Sequence, residues 1–342
     1  MTTDCGRFQL LPNRAVVFAG RWKSPVPRVA RGYWPQDLAW YGVAHGHVLI
    51  GRGMKQLWRS HETYPRGRYL DVGSVVLGRG ALAFSYYQGR QSRVLIARYG
   101  GREHLVARGE VPLMLTSGRL VTWSERGGAL LLRGVTGRLV RKLAAKAGDP
   151  QIDRANRIVF FRSAGRLFAF DGVWVRQLAS FRKLRLTGVP AVEPLGQLVA
   201  VHDRHRLVVV DSDGRPFASA TLPRSRHLAD GVSSPVAANA DGTAVAFSVT
   251  SGNRLRETVY LLAKGNRRAE RLFAQKFAGG NGCGGGVWLA WQGRWLLYAN
   301  GGQQATVLDS SGRAAPLQLT DVIAKLPGIR TDGEGVFNVD WA

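Results

Sequence analysis

The chain has 342 residues, with 48 Lys plus Arg against 23 Asp plus Glu, which gives a net charge of +25 at neutral pH. No apolar stretch approaches the roughly 18 residues of a transmembrane helix, and residues 1–5 lack the apolar core of a signal peptide. We therefore expect either a cytoplasmic protein or a chain whose targeting segment has been removed.

A short cassette recurs eight times along the chain. It consists of a turn residue, one spacer and a short apolar run, and the turn residues lie 33 to 51 residues apart. Self-similarity at this period, built from strand-like units, indicates a β-propeller. The eight turn residues are Asn13, Gly46, Gly80, Gly118, Asn156, Gly196, Gly242 and Gly293.

The apolar runs after the turns are too short for helices and are rich in β-branched and aromatic residues, so they predict strands buried on both faces. A second apolar run usually follows within about ten residues, which predicts a meander of up to four strands. Hairpin loops are expected at Asp171-Gly172, at 211–214 and at 309–312, since Asp and Gly tolerate positive φ. Only residues 142–147 and 321–326 resemble even weak helices.

These units predict one all-β domain over residues 1–342, a β-propeller with eight blades favoured and seven as the alternative. Eight blades of about forty residues leave no room for a separate catalytic domain. The C-terminal run 336–339 is expected to complete the first blade and so close the ring. The predicted blades are 7–35 with 335–341, then 36–71, 72–109, 110–148, 149–187, 188–233, 234–285 and 286–334.

Several repeats resemble the TolB-type, WD40-like propeller family. Residues 235–248 match its small-polar-acidic-Gly turn followed by an apolar strand, and residues 209–214 and 307–312 resemble its Asp-x-x-Gly hairpin. The match is good from about residue 188 onward and degenerate before it. The resemblance implies the propeller fold together with a binding or scaffolding role.

The basic composition predicts attraction to polyanions through a diffuse field. Of the 48 basic residues, 40 are Arg, which is also typical of a GC-rich genome. No nucleic-acid recognition module is present, so we expect no specific nucleic-acid partner. Four arginines directly follow a turn residue, and the propeller symmetry would place them on one face as a basic ring, unless they merely solvate the turns. They are Arg14, Arg119, Arg157 and Arg294.

The two cysteines lie before strands of the first and last blades, which are neighbours in a closed ring. A Cys5–Cys283 disulfide would close a loop of about 280 residues and indicate an oxidising, extracytoplasmic compartment. The alternative is two unrelated buried thiols.

Two connections are longer than the others and emerge on the same face, where rigid scaffolds build binding sites. They span 223–233 and 275–286, and plain insertions are the alternative reading of both. The candidate loop-site residues are Arg224, Arg226, His227, Asp230 and Asn281.

Metal and cofactor sites are not predicted. Two histidine pairs flank predicted hairpin turns, and neither pair has further metal-binding side chains nearby in the sequence. The pairs are His45 with His47 and His202 with His205. Most of the ten tryptophans are expected between blades, with Trp288 and Trp291 reaching the channel. We expect a monomeric, non-catalytic binding or scaffolding propeller, exported and recognising a protein or an anionic envelope polymer. The alternatives are a lyase or glycoside hydrolase with its site at the channel mouth and a cytoplasmic assembly scaffold.

Overall fold

The computed structural model describes residues 38–341 with internal gaps, and it divides the chain into two compact units. The first unit contains the described residues up to Leu178 together with Asn338–Trp341, and the second contains those from Ala179 to Gln318. The gaps are 45–46, 53–54, 64–71, 78–79, 89–90, 116, 125, 154–156, 224–231, 233–235, 240, 252–255, 277–286, 293–294, 301–303, 309–313 and 319–337.

The first unit contains four antiparallel sheets of four strands, each a meander except that the first sheet takes the edge strand beside β1 from the C-terminus. The last strand of the fourth sheet crosses the boundary between the units. In chain order the strands are β1 Leu38–Ala44, β2 His47–Arg52, β3 Lys55–Arg59, β4 Val72–Leu77, β5 Ala81–Gln88, β6 Gln91–Arg98, β7 His104–Arg108, β8 Glu110–Met114, β9 Leu120–Ser124, β10 Leu130–Arg133, β11 Leu139–Ala144, β12 Gly148–Ile152, β13 Val159–Ser163, β14 Arg166–Phe170 and β15 Val175–Ser180.

The second unit contains three further four-stranded antiparallel meanders. The described residues thus form seven such sheets and no helix, and none of them supplies a helix able to cross a membrane. The remaining strands are β16 Ala191–Pro194, β17 Leu198–His202, β18 Arg206–Asp211, β19 Pro216–Thr221, β20 Ala237–Ala238, β21 Ala244–Ser251, β22 Arg256–Ala263, β23 Glu270–Lys276, β24 Val287–Gln292, β25 Trp295–Asn300, β26 Gln304–Leu308, β27 Ala314–Gln318 and, in the first unit, β28 Asn338–Trp341.

Consecutive sheets of the first unit pack face to face, because their central strands are apolar on both sides. Leu82 and Phe84 of β5 pack in one core with Val48 of the first sheet, whereas Ala83 between them packs with Met114 of the third sheet. This alternation follows from the two-residue period of a strand. A further core joins the third and fourth sheets, and it includes Val121, Leu130, Val159, Phe161 and Phe170.

The second unit repeats this packing between its own three sheets. Val209 and Phe247 belong to the core that joins its first and second sheets, and Ala246 and Leu296 to the core that joins its second and third. Stacked four-stranded antiparallel meanders are the architecture of a β-propeller. The all-β propeller fold predicted from the sequence is therefore confirmed.

The C-terminal strand has a partner that was not predicted. Strand β28 pairs antiparallel with β1, with Leu38 opposite Trp341 and Tyr41 opposite Asn338. The strand edge that residues 338–341 cover is therefore that of β1, and their predicted pairing with residues 7–31 stays a prediction. The eighth sheet predicted over 7–35 lies outside the described residues.

Two local expectations have opposite outcomes. The hairpins at Asp171-Gly172 and at 211–214 are confirmed, since Gly172 and Gly214 have φ of 93° and 82°. The helix-like character of residues 142–147 is wrong, because Lys142 and Ala144 pair with β10 as part of β11. Ladder pairing against a packed sheet outweighs the modest helix propensity of a short Lys- and Ala-rich run.

Candidate functional site

Exposed apolar side chains are concentrated on three hairpins of the first unit. Each hairpin joins the third and fourth strands of its sheet, and the turns are 99–103, 134–138 and 171–174. Among the described residues eight large hydrophobic side chains are exposed, and seven of them lie at these hairpins, so their exposure is clustered. We call these seven the outer-hairpin strip; they are Leu105, Val135, Leu139, Val140, Val173, Trp174 and Val175.

Hydrogen bonds join the three hairpins side by side. His104 at the start of β7 donates from Nε2 to the carbonyl oxygen of Val135, over 3.2 Å. Arg141 of β11 donates from Nη2 to the carbonyl oxygen of Val173, over 3.1 Å, and its guanidinium carbon lies 5.6 Å from the centre of the Phe170 ring. The strip is therefore continuous across three neighbouring sheets.

The hairpin that carries Trp174 is held rigidly. The Asp171 carboxylate accepts hydrogen bonds from the backbone N–H groups of Val173 and Trp174, at 2.9 and 2.8 Å. Arg119 of the preceding sheet donates to the carbonyl oxygen of Gly172. The Trp174 side chain is nevertheless 67% exposed. A large aromatic group held in place and left in water is a typical contact residue.

The hairpin that carries Leu139 and Val140 rests on an ion pair between the half-buried Arg133 and the buried Glu110. Arg133 donates to both carboxylate oxygens of Glu110, over 2.6 and 3.1 Å. It also donates to the hydroxyl oxygen of Thr122 and to the carbonyl oxygen of Gly137 in the turn. The bidentate pair fixes the guanidinium, and the guanidinium fixes the turn.

The charge of the strip is predominantly positive. Exposed cations follow the apolar residues along β7, β11 and β15, or precede them in the turns. The three turns contain two acidic residues, the buried Glu103 and the exposed Asp171. Partial desolvation raises the pKa of Asp171, but hydrogen bonds from Trp174 and Val173 and the charge of Arg176 lower it below its usual value. The exposed cations are Arg102, Arg108, Arg138, Arg141, Lys142 and Arg176.

The buried carboxylate of Glu103 holds a loop. Glu103 accepts the backbone N–H groups of His61 and Glu62, at 3.1 and 2.8 Å, and its carboxylate lies 3.5 Å from His61 Nδ1. The neighbouring Ser60 hydroxyl accepts from Val48 N–H and donates to the Glu62 carbonyl oxygen. The run Ser60-His61-Glu62 is therefore a structural turn.

In the second unit Glu193 and Asp203 have similar roles. Glu193 contacts His202 Nε2 at 2.8 Å and accepts the N–H of Val236 at 2.6 Å. Asp203 accepts the N–H and the hydroxyl of Thr187 and the N–H groups of the turn that follows it. Burial raises the pKa of Asp203, yet these hydrogen bonds lower it below the usual value overall.

The structure places only some of the residues predicted from the sequence. Arg119 anchors the Trp174 hairpin, and Arg157 is exposed and donates its backbone N–H to the Asp153 carboxylate. His47 Nδ1 lies 2.9 Å from the Ser60 carbonyl oxygen, and the described residues contain no group of three or more metal-binding side chains. Outside the described residues lie Arg14, Arg294, His45, Cys5, Cys283, Arg224, Arg226, His227, Asp230 and Asn281.

The tryptophans divide between packing and exposure. Trp58 is buried and donates to the Gly101 carbonyl oxygen of the next sheet, and Trp291 is buried and donates to that of Ala237. Both therefore pack between sheets. The prediction that Trp291 reaches the channel is wrong. Trp174 does not pack between sheets. Its position two residues after Gly172 of the predicted Asp-Gly turn was the sequence signal that it lies at a hairpin tip.

No protein-family model and no curated protein matches the chain. Solved structures with a similar fold include Kluyveromyces lactis Hsv2, with 11% identity, a TM-score of 0.41 and coverage of 76% of this chain and 78% of that one. Virginiamycin B lyase from Staphylococcus aureus with quinupristin has 11% identity, a TM-score of 0.41 and coverage of 70% and 81%. Dihydro-heme d1 dehydrogenase NirN in complex with DHE has 15% identity, a TM-score of 0.44 and coverage of 91% and 82%. These likenesses are too distant to assign an activity.

Proposed function

We propose that this chain is a non-catalytic binding propeller that docks an anionic partner on the outer-hairpin strip. The observation that carries the proposal is the clustering of exposed apolar residues with cations on three hairpins joined by hydrogen bonds. Propellers are scaffolds whose activity lies in the connections between strands, so a hairpin surface is a reasonable place for the site.

The size of the strip supports an interaction role. Seven side chains that are between 37% and 67% exposed present on the order of 500 Å² of apolar surface. A patch of that size on a monomer is often functional. Because the hairpins are rigid, the partner would lose little affinity to ordering them.

The charge of the strip supports an anionic partner. Arg138, Lys142 and Arg176 are exposed on the two hairpins that carry most of the apolar surface. Arg141 is fixed over Phe170 by its bond to the Val173 carbonyl oxygen, and its remaining N–H groups can donate to a ligand oxygen. Cations held next to apolar surface favour a partner that offers both negative charge and apolar groups.

Four buried or half-buried carboxylates are engaged in structural hydrogen bonds, which gives the enzymatic alternative little support. Glycosidases need two carboxyl groups facing a substrate. Glu103, Glu110, Glu193 and Asp153 accept hydrogen bonds from backbone N–H groups or from cations, which uses them to hold loops and strands. A binding role needs no such pair.

We also propose export, a TolB-type relationship and the Cys5–Cys283 disulfide, each resting on the sequence pattern. Mass spectrometry of unreduced protein from its native host tests the disulfide. A cross-linked peptide pair two hydrogens lighter supports an oxidising compartment, and free thiols contradict it.

The docking proposal is tested with heparin as a polyanion and two matched charge-reversal variants. Arg138→Glu with Lys142→Glu alters the strip, and Arg267→Glu with Arg268→Glu alters an exposed turn of the second unit. Each pair lowers the net charge from +25 to +21, since 25 − 4 = 21. We expect the strip variant to bind heparin about thirtyfold more weakly than the control variant, because two cations near the bound anion contribute about 1 kcal/mol each.

Salt dependence provides the second readout of this experiment. The slope of log K against log salt should be lower by about two for the strip variant than for wild type. Equal losses of affinity in the two variants would mean that the whole basic surface attracts polyanions, which contradicts a dedicated site.

A further inference from the structure

We infer that the anionic partner of the outer-hairpin strip is the surface of a lipid bilayer that contains acidic phospholipid. This inference rests on the proposed function and adds the class of partner. The apolar ends of three adjacent hairpins would enter the headgroup region, and the cations behind them would contact lipid phosphates.

The order of residues along the outer strands is layered in the way that a bilayer surface requires. Leu139 and Val140 open β11 next to the turn, where Arg138 precedes them, and Arg141 and Lys142 follow them along the strand. At about 3.3 Å per residue these cations lie about 3 to 10 Å further from the hairpin end. Strand β15 repeats the order, with Arg176 directly after Val175. Peripheral proteins bury apolar groups to about 5–10 Å at the boundary of headgroups and acyl chains, with cations near the phosphates.

The aromatic residue of the strip fits the same environment. Trp174 lies at the hairpin end, 67% exposed, with Val173 before it and Val175 after it. Tryptophan is enriched at membrane–water interfaces, because its ring is apolar and its N–H is polar. The Asp171 carboxylate beside it accepts two backbone N–H groups and lies near the opposite charge of Arg176, so its negative charge is partly compensated.

Pairing with an extended peptide is disfavoured at these edges. The register of β11 against β10 shifts at two places, one of them at Val140, which has no partner opposite. The register of β7 against β6 shifts at Val106 in the same way. Bulged edge strands resist the addition of a further strand.

A second copy of the chain is also disfavoured as the occupant. Strip against strip would bring Arg138, Lys142 and Arg176 close to the same residues of the other copy. Like charges placed opposite each other in an interface oppose association. An anionic bilayer instead supplies the opposite charge over the whole strip.

The test measures binding to large unilamellar vesicles of phosphatidylcholine, with and without phosphatidylglycerol. The variants are Trp174→Ala, Val140→Ser and the control Val189→Ser, which alters a residue of the second unit that is 75% exposed. We expect binding only to vesicles with phosphatidylglycerol, about tenfold weaker for Trp174→Ala, about threefold weaker for Val140→Ser and unchanged for Val189→Ser. Circular dichroism of each variant verifies that it is folded.

A second measurement places Trp174 in the bilayer directly. In vesicles that also contain phosphatidylglycerol, phosphatidylcholine with a nitroxide near the headgroup end of its acyl chain should quench part of the tryptophan fluorescence of the wild type. Because the chain has ten tryptophans, the decisive quantity is the quenching lost in Trp174→Phe. Equal quenching in wild type and in Trp174→Phe would overturn insertion of the hairpin.

Other outcomes overturn the inference as well, and they separate it from the proposed function. Equal binding to vesicles by wild type and Trp174→Ala would mean adsorption by charge alone. Concentration-dependent dimers that Trp174→Ala abolishes would identify a second copy as the occupant. Absence of vesicle binding, together with the expected strip-specific loss of heparin affinity, would refute the bilayer and leave the docking proposal standing.

Discussion

Replacing Gly137 with Ala tests whether the outer hairpins pack against each other as described. Gly137 has φ of +82°, and a Cβ at this residue would lie 2.9 Å from the Cβ of Val106 and 3.0 Å from its Cα in the neighbouring sheet. Those atoms belong to the backbone end of a β-branched residue, so they cannot move aside cheaply. The substitution should therefore push the β10–β11 turn away from β7.

The magnitude follows from two separate costs. An L-residue at positive φ costs about 1–2 kcal/mol, and an additional carbon in a packed contact costs about 1–3 kcal/mol. Gly165→Ala is the matched control, because Gly165 has φ of +72° in another hairpin and a Cβ there meets no atom within 4 Å. Gly165→Ala incurs only the free-energy cost of an L-residue at positive φ. The difference between the two variants should be about 1–3 kcal/mol.

Equilibrium unfolding in urea, followed by circular dichroism, measures both variants against the wild type. We expect a lower midpoint for Gly137→Ala than for Gly165→Ala, and weaker heparin binding for Gly137→Ala alone, since its hairpin carries part of the strip. Equal midpoints would refute the reasoning, because they would mean that the Gly137 turn does not contact Val106.

Three further predictions concern the supports of the site and the fold. Glu110→Gln should lower the free energy of unfolding by about 1.5–3 kcal/mol, because it leaves the half-buried Arg133 guanidinium poorly paired; a urea titration showing less than about 0.5 kcal/mol would contradict the pair's role. The pKa of Asp203 is lowered on folding, so its stabilisation is present above the ordinary Asp pKa and is lost as pH falls through the folded value. Asp203→Asn should therefore lower the thermal midpoint at neutral pH and differ little in acid, and a pH-independent gap would contradict this. Deleting 338–342 should lower the thermal midpoint by exposing the edge of β1, and an unchanged midpoint would contradict the observed pairing.

The fold could be predicted from the sequence because its signals are local. Apolar runs after each turn, such as 82–84 and 198–201, lie in the central strands β5 and β17. These strands are buried on both faces, so their sequence is continuously apolar and easily recognised. Turn chemistry is equally local, as Asp211 and Gly214 demonstrate in the β18–β19 hairpin.

The candidate site was not predictable in the same way. The run Leu139-Val140 is as apolar as a buried strand, and only the packed structure determines that it faces water. Continuity of the strip depends on contacts between residues 31 and 32 positions apart, His104 with Val135 and Arg141 with Val173. The partner of β28 likewise depends on which strand edge remains free after folding.

Hydroxyl-radical footprinting of the wild type, free and bound to vesicles containing phosphatidylglycerol, tests the central claim most directly. The account predicts that oxidation of Trp174, Leu139 and Val140 falls several-fold on binding. Val189, exposed on the second unit, serves as the internal reference and should be oxidised equally in both states. Unchanged oxidation of Trp174 in the bound protein would contradict the assignment of the outer-hairpin strip as the docking surface.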